Sequence, residues 1–217
     1  MNRLAWWAGG ASILLLVTVP IWVSVSRPAT DVGSLEVIRR ARATPRAETE
    51  VGGSRVPIHS GLLARQAIAA QRPRPTRLRI RTIGVDASIV PVGVAGGTTE
   101  VPADVHEVGW YRFGGRLGLS GSTVLLAHVS SGTQGPGVFF RLRELAPGDD
   151  VIVGLRDGSS SAFRVIARRS YAKETLPDRL FSRTGPAVLA LVTCGGQFSE
   201  ATGRYEANIV VYALPQR

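Results

Sequence analysis

The segment Ala187-Val188-Leu189-Ala190-Leu191-Val192-Thr193-Cys194-Gly195-Gly196 holds six apolar residues without a break, then a threonine, the only cysteine of the chain, and two glycines. A short unbroken apolar run reads as a β-strand buried on both faces. Cys194 stands where such a strand would end. The glycines allow the backbone to turn sharply and to take a close neighbour. A thiol at the open end of a buried strand, beside a glycine turn, suits a nucleophile. A free cysteine is also among the most buried residue types and is often only a small hydrophobe, so a structural role stays open at this point.

Outward from this segment the pattern is one of strands and turns. Thr123-Val124-Leu125-Leu126-Ala127-His128 is a second buried strand, ending in histidine. Leu78, Ile80 and Thr82 alternate with Arg77, Arg79 and Arg81, as in a half-buried strand. Ala87–Val94 and Val108–Phe113 are β-rich, and Gly96-Gly97 marks a turn. Val138–Leu142 reads as a short helix or turn that packs Phe139 and Phe140 into the core. Pro147-Gly148-Asp149-Asp150 turns into Val151–Leu155, and Asp157-Gly158 closes a hairpin with Ala162–Ala167. Arg204–Ala213 is the last strand. About eight strands with little helix predict an all-β barrel or sandwich over residues 77–217.

The rest of the chain divides by composition. Residues 1–26 contain Leu4 to Ser26, a span of 23 residues without a charge, with Trp6, Trp7 and Trp22 toward its ends. That length and those aromatic flanks predict a transmembrane anchor or, alternatively, a cleaved signal peptide. Counting positive charges on either side would leave the C-terminal part in the cytoplasm, although a long following domain can cross regardless of flanking charge. Residues 27–76 lack aromatic side chains and are rich in Arg, Ala, Pro, Thr and Ser, which reads as a basic connector unable to order itself, save for a short helix at about Leu62–Gln71.

The formal net charge is +10, and it is unevenly placed. Residues 27–81 hold twelve arginines against four acids, a net of +8, whereas residues 82–217 hold 13 basic against 12 acidic groups, a net of +1. A nearly neutral folded domain argues against nucleic-acid binding. A basic connector beside a membrane meets anionic lipid or wall polymer, or is simply solvated. Lys173 is the only lysine and reads as a mark of an arginine-biased genome, without a mechanism. One cysteine excludes an intrachain disulfide.

The chemistry rests on the two buried strands. His59 lies in the connector and His106 in a loop-like stretch, whereas His128 ends a strand just before the polar loop Ser130-Ser131-Gly132-Thr133-Gln134-Gly135-Pro136-Gly137. If the ends of the two strands meet, Cys194 and His128 form a thiol–imidazole pair, in which the thiolate is the nucleophile. One Cys and one His do not make a structural zinc site, and no tight acidic cluster suggests calcium, so neither a metal nor a cofactor is expected.

These motifs resemble the sortases, membrane-anchored cysteine transpeptidases of Gram-positive surfaces. Val192-Thr193-Cys194 is similar to the family's threonine–cysteine signature, and Leu126-Ala127-His128-Val129-Ser130 to its histidine strand. Gly135–Leu142, Thr193-Cys194-Gly195-Gly196 with Phe198, and Asn208-Ile209-Val210-Val211-Tyr212-Ala213 look most like the actinobacterial class F group. The opening Leu78-Arg79-Ile80 with Ile83–Ala87 fits as well.

The resemblance implies an eight-stranded β-barrel outside the cell, held to the membrane by the N-terminal span. It implies a Cys–His–Arg site that cleaves an LPxTG-like sorting signal of secreted proteins. A thioacyl intermediate would then pass to an amine of a peptidoglycan precursor or a pilin. Cys194 would attack and His128 would move protons. The family's arginine lies on the last strand, where Arg204 is the only arginine before the terminal Arg217. Arg204 stands ten residues past Cys194, nearer than the family spacing, and Glu206 lies closer to the usual place. On an extended strand Arg204, Glu206 and Asn208 share one face. Arg116 and Arg183 are the reserve. Thr193 and Ser130, with Ser131 and Gln134, are candidate substrate contacts or ordinary strand and loop residues. Two other readings remain: a cysteine hydrolase on the same fold, and a catalytically inactive envelope-binding barrel.

Overall fold

Eight strands alternate or run continuously apolar in sequence, and these eight close into a barrel. The structure is a computed structural model, and it describes residues 31–43, 74–173 and 175–216. The strands are β1 (Pro75–Ile80), β2 (Val85–Val92), β3 (Val108–Tyr111), β4 (Ser122–Leu126), β5 (Asp150–Leu155), β6 (Ser160–Ala172), β7 (Val188–Ser199) and β8 (Arg204–Pro215). The hydrogen-bonded order is β6-β5-β1-β2-β3-β4-β7-β8, and β8 pairs back onto β6 to close the ring. Pairs β2–β3 and β4–β7 are parallel and the others are antiparallel. Closure leaves no open edge in the ring itself.

The two unbroken apolar runs are buried on both faces, as their composition predicts. Leu125, Ala127, Leu189 and Leu191 point into the barrel with Ile209, Val211, Phe139 and Phe163. Val124, Leu126, Val188, Ala190 and Val192 point outward, into a second cluster with Val210, Tyr212, Leu180 and Ile38. The helix α1 (Glu36–Ala43) and the one-turn helix Asp178–Phe181 cover this outer cluster.

Several sequence expectations need correction. The connector was expected not to order itself, yet within it residues 31–43 pack on the barrel. Val32–Gly33 pairs with Arg168 and Ala167 of β6. Arg169 donates to the carbonyls of Val32 (2.6 Å) and Gly33 (2.9 Å), and the backbone N–H of Ser170 donates to Asp31 (2.9 Å). Ordering here comes from strand pairing and from one arginine that satisfies backbone carbonyls. The helix then needs to bury only Ile38, with Leu35 beside it. Thr82 leaves the alternating pattern, because the chain turns at Arg81–Ile83 and the Thr82 hydroxyl instead donates to Asp149 at 3.0 Å. Of the two adjacent phenylalanines only Phe139 is core; Phe140 is 42% exposed. Strand β7 continues past Cys194 to Ser199, so the thiol does not end it.

The apolar span Leu4–Ser26 and the short helix at Leu62–Gln71 lie outside the described residues. Among the described residues no helix is long and apolar enough to cross a membrane.

Candidate active site

Strands β4 and β7 run side by side in register from Ser122↔Val188 to Leu126↔Val192. One residue further, the N–H of Ala127 still donates to the Val192 carbonyl at 3.2 Å. The Thr193 hydroxyl donates to the Ala127 carbonyl at 2.7 Å. The next residue along each segment is His128 after Ala127 and Cys194 after Thr193. Leu126 and Val192 face outward, and two residues further along β7 alternation turns Cys194 to the same side, while His128 stands two residues past the end of β4 in the segment that follows it. Beyond this point β4 has ended while β7 continues with β8 alone, so Cys194 stands where its parallel neighbour leaves the sheet.

The glycines after the cysteine serve two local needs. A side chain at Gly195 would meet Ile209 at 2.6 Å. Gly196 has φ +79°, which a residue with a Cβ rarely adopts. They allow the irregularity between Gly195 and Phe198 where β7 gains a residue over β8. On the histidine side, Gly137 packs directly on the His128 backbone. A Cβ there would fall 2.3 Å from the His128 carbonyl oxygen. That carbonyl accepts from the N–H of Phe139 at 3.1 Å.

The His128 ring is oriented by a carbonyl. Its Nε2 lies 2.9 Å from the Pro102 oxygen. A carbonyl only accepts, so Nε2 carries the proton and the neutral ring leaves Nδ1 as its base. Gln134 holds the same loop from its other side: its Oε1 accepts from Val105 N–H (3.2 Å) and its Nε2 donates to the Ala103 carbonyl (3.3 Å).

Cys194 is half-buried and lies directly opposite Asn208 on β8. Its sulfur is 2.9 Å from the Lys173 ammonium, at the end of β6. Lys173 Nζ also donates to Asn208 Oδ1 at 3.2 Å, and Asn208 Nδ2 donates back to the Lys173 carbonyl at 3.2 Å. Asn208 is 7% exposed, and these bonds satisfy both ends of its amide. Cys194 also borders a cavity of about 770 Å³ at the end of the barrel, walled by Thr193, Phe139, Phe140, Phe198, Tyr205 and Arg143 among others.

The other sequence candidates fall as follows. Thr193 borders this cavity, but it is 3% exposed and its hydroxyl is engaged by the scaffold. Ser130 is half-buried with its hydroxyl 3.1 Å from that of Tyr205, joining the loop after β4 to the start of β8. Arg204 is exposed and pairs in register with Ser199, four residues along β8 from Asn208. His106 is exposed and away from this site, against a separate hollow near Asp86 and Arg141. Lys173 was given no role by the sequence. Its one local signal is that it is the single lysine among 26 basic residues.

Residues 78–216 match the family model of the Sortase domain. No curated protein sequence matches the chain. Among solved structures the fold is similar to sortase C1 of Streptococcus agalactiae in its complex with MTSET. That match has 21% identity over 65% of this chain and 67% of that one, with a TM-score of 0.50. Sortase C1 of Streptococcus suis is similar at 18% identity over 76% of this chain and 87% of that one, with a TM-score of 0.51. A pilus-related sortase C of Group B Streptococcus is similar at 17% identity over 67% of this chain and 68% of that one, with a TM-score of 0.50. At these identities the likeness speaks to the barrel fold.

Proposed function

The chain belongs to the sortase family of cysteine transpeptidases, and on that premise we propose that it is a class F-like member that acts on an LPxTG-like sorting signal. Cys194 is the nucleophile and His128 the proton carrier. The observation that supports these roles best is the in-register pairing of β4 with β7 up to Leu126↔Val192, two residues before His128 and Cys194, with the thiol beside a cation and a cavity large enough for a short peptide.

The thiol proton passes to His128 Nδ1, so that the sulfur becomes a thiolate and the ring an imidazolium. The sulfur attacks the carbonyl carbon of the scissile Thr–Gly bond, a C–S bond forms, and the carbonyl π pair moves onto oxygen. Collapse breaks the C–N bond, and His128 gives its proton to the leaving amine. The incoming amine then attacks the thioester and returns a proton to His128, and the thiolate is expelled. Because Nε2 is held by the Pro102 carbonyl, Nδ1 is the nitrogen available for these transfers. The acceptor is an amine of a peptidoglycan precursor or of a pilin. The proposed setting is the outer face of the membrane, with the apolar N-terminal span as anchor.

The experiment is to incubate the purified full chain with a panel of LPxTG-type peptides and either a glycine-oligomer or a lysine-side-chain amine, and to separate the products. New amide product that depends on the amine supports transpeptidation. Release of free acid alone, whatever amine is present, would favour a hydrolase on the same fold.

A further inference from the structure

Sortase chemistry needs a positive charge beside the sulfur and the developing oxyanion, and the contacts here assign it to an unexpected residue. We propose that Lys173 is a catalytic residue: its ammonium holds the Cys194 thiolate and then the oxyanion of the tetrahedral adduct, in the place the family gives to an arginine. The proposal rests on the nucleophilic role of Cys194 given above.

Lys173 is the basic group hydrogen-bonded to the sulfur, at 2.9 Å. Arg204 stands four residues along β8 from Asn208, the residue opposite the cysteine, which is roughly 13 Å of strand. Arg143 borders the same cavity but lies over the Phe140 ring at 5.9 Å. Glu206, near the family's usual arginine position, offers no positive charge.

The lysine is held from two directions. Its backbone N–H donates to the Glu206 carbonyl at 3.1 Å, continuing the β6–β8 pairing by one residue. Its ammonium donates to Asn208 Oδ1, and its carbonyl accepts from Asn208 Nδ2. None of the ion pairs among the described residues includes Lys173. An ammonium has three donors. One serves Cys194 and one serves Asn208, which leaves the third for an oxyanion forming on the carbon bonded to sulfur. A lysine on a flexible stem can follow that charge as it moves from sulfur to oxygen, as a compact point charge rather than a planar fork. Asn208 acts through the lysine and is a positioning residue.

The test compares Lys173→Met, Lys173→Arg and Arg204→Ala in the full chain, with two readouts. The first is the rate at which iodoacetamide alkylates the single cysteine at neutral pH, which needs no sorting peptide. The second is the rate of thioacyl formation with an LPxTG peptide. Loss of the ammonium in a folded Lys173→Met protein should slow alkylation about tenfold. It should slow acylation by roughly 10²–10³. Lys173→Arg should restore much of both, and Arg204→Ala should leave both within about threefold. Unchanged alkylation in folded Lys173→Met overturns the proposal, as does loss of acylation in Arg204→Ala but not in Lys173→Met. If no sorting peptide acylates the wild-type chain, the substrate reading fails while the alkylation rates still decide the role of Lys173.

Discussion

The Thr193 hydroxyl donates to the Ala127 carbonyl at 2.7 Å, at the last point where β7 and β4 run together. It lies one residue before Cys194 on one strand, and its acceptor lies one residue before His128 on the other. The bond is buried, so it acts as a clamp that keeps the segments carrying Cys194 and His128 in step. Thr193→Val keeps the shape and leaves the Ala127 carbonyl unpaired. We expect a loss of about 1–3 kcal/mol in a denaturant titration. Acylation should fall by more than the small population of unfolded protein explains. A variant as stable and as active as the parent would show that the clamp is dispensable.

Gly137 tests the histidine side. A methyl group there would meet the His128 carbonyl oxygen at 2.3 Å, a backbone atom that cannot rotate away. Gly137→Ala should therefore displace the loop after β4 and misplace the ring. Peptide acylation should drop at least tenfold. Alkylation of Cys194 should change less, because the cysteine lies on the other strand. Equal effects on both readouts would point to general unfolding instead.

The pair Tyr171–Tyr212 carries a pH dependence. Their hydroxyls are 3.0 Å apart, and Tyr212 is 4% exposed under α1. Burial, and then the Tyr171 hydroxyl, push the Tyr212 phenol well above its ordinary value of 10.0. Its neutral form is the one the fold keeps. The stability this gives is present below pH 10 and is lost as pH rises beyond it, because the unfolded chain then releases a proton that the folded chain retains. The melting temperature should fall above about pH 10 in the wild type and fall less steeply in Tyr212→Phe. At neutral pH that variant should lose about 1 kcal/mol with its hydrogen bond. Parallel alkaline profiles would remove Tyr212 from the account.

Tyr205 closes the wall of the cavity. Its hydroxyl meets Ser130 at 3.1 Å, and its ring packs edge-on against Phe198 at 5.1 Å. Tyr205→Phe removes only the link between the loop after β4 and the start of β8. Stability should change by less than about 1 kcal/mol. If the link shapes the peptide groove, KM should rise with kcat nearly kept. A lower kcat at constant KM would place the bond in the chemical step instead.

Much of the barrel was legible because the sequence signals were local. The doubly buried strands announce themselves as apolar runs around Leu125 and Leu191, and the turn at Asp157-Gly158 lies where its dipeptide puts it. Cys194 and His128 were legible as candidates because each stands at the close of such a run, Cys194 after one intervening threonine. In sequence Gly195 and Gly196 look like a stop to β7. In the sheet they form an irregularity that β8 bridges. The docking of residues 31–43 had no compositional signal, since it depends on Arg169, more than a hundred residues away, satisfying carbonyls at Val32 and Gly33. Lys173 was invisible for a related reason. Its contact with Cys194 comes from the register of β6 on β8 and of β8 on β7, and no local spacing connects the two residues.

The central claim, that Cys194 forms and passes on an acyl group, is tested most directly by intact-mass spectrometry of the full chain mixed with an LPxTG-type peptide. Acyl transfer gives an added mass equal to the peptide's N-terminal acyl fragment through threonine, located on Cys194, absent in Cys194→Ala and discharged when an amine is added. A folded wild-type protein whose thiol is accessible to iodoacetamide, yet which gains no such mass with any sorting peptide, would contradict it and favour an inactive binding barrel.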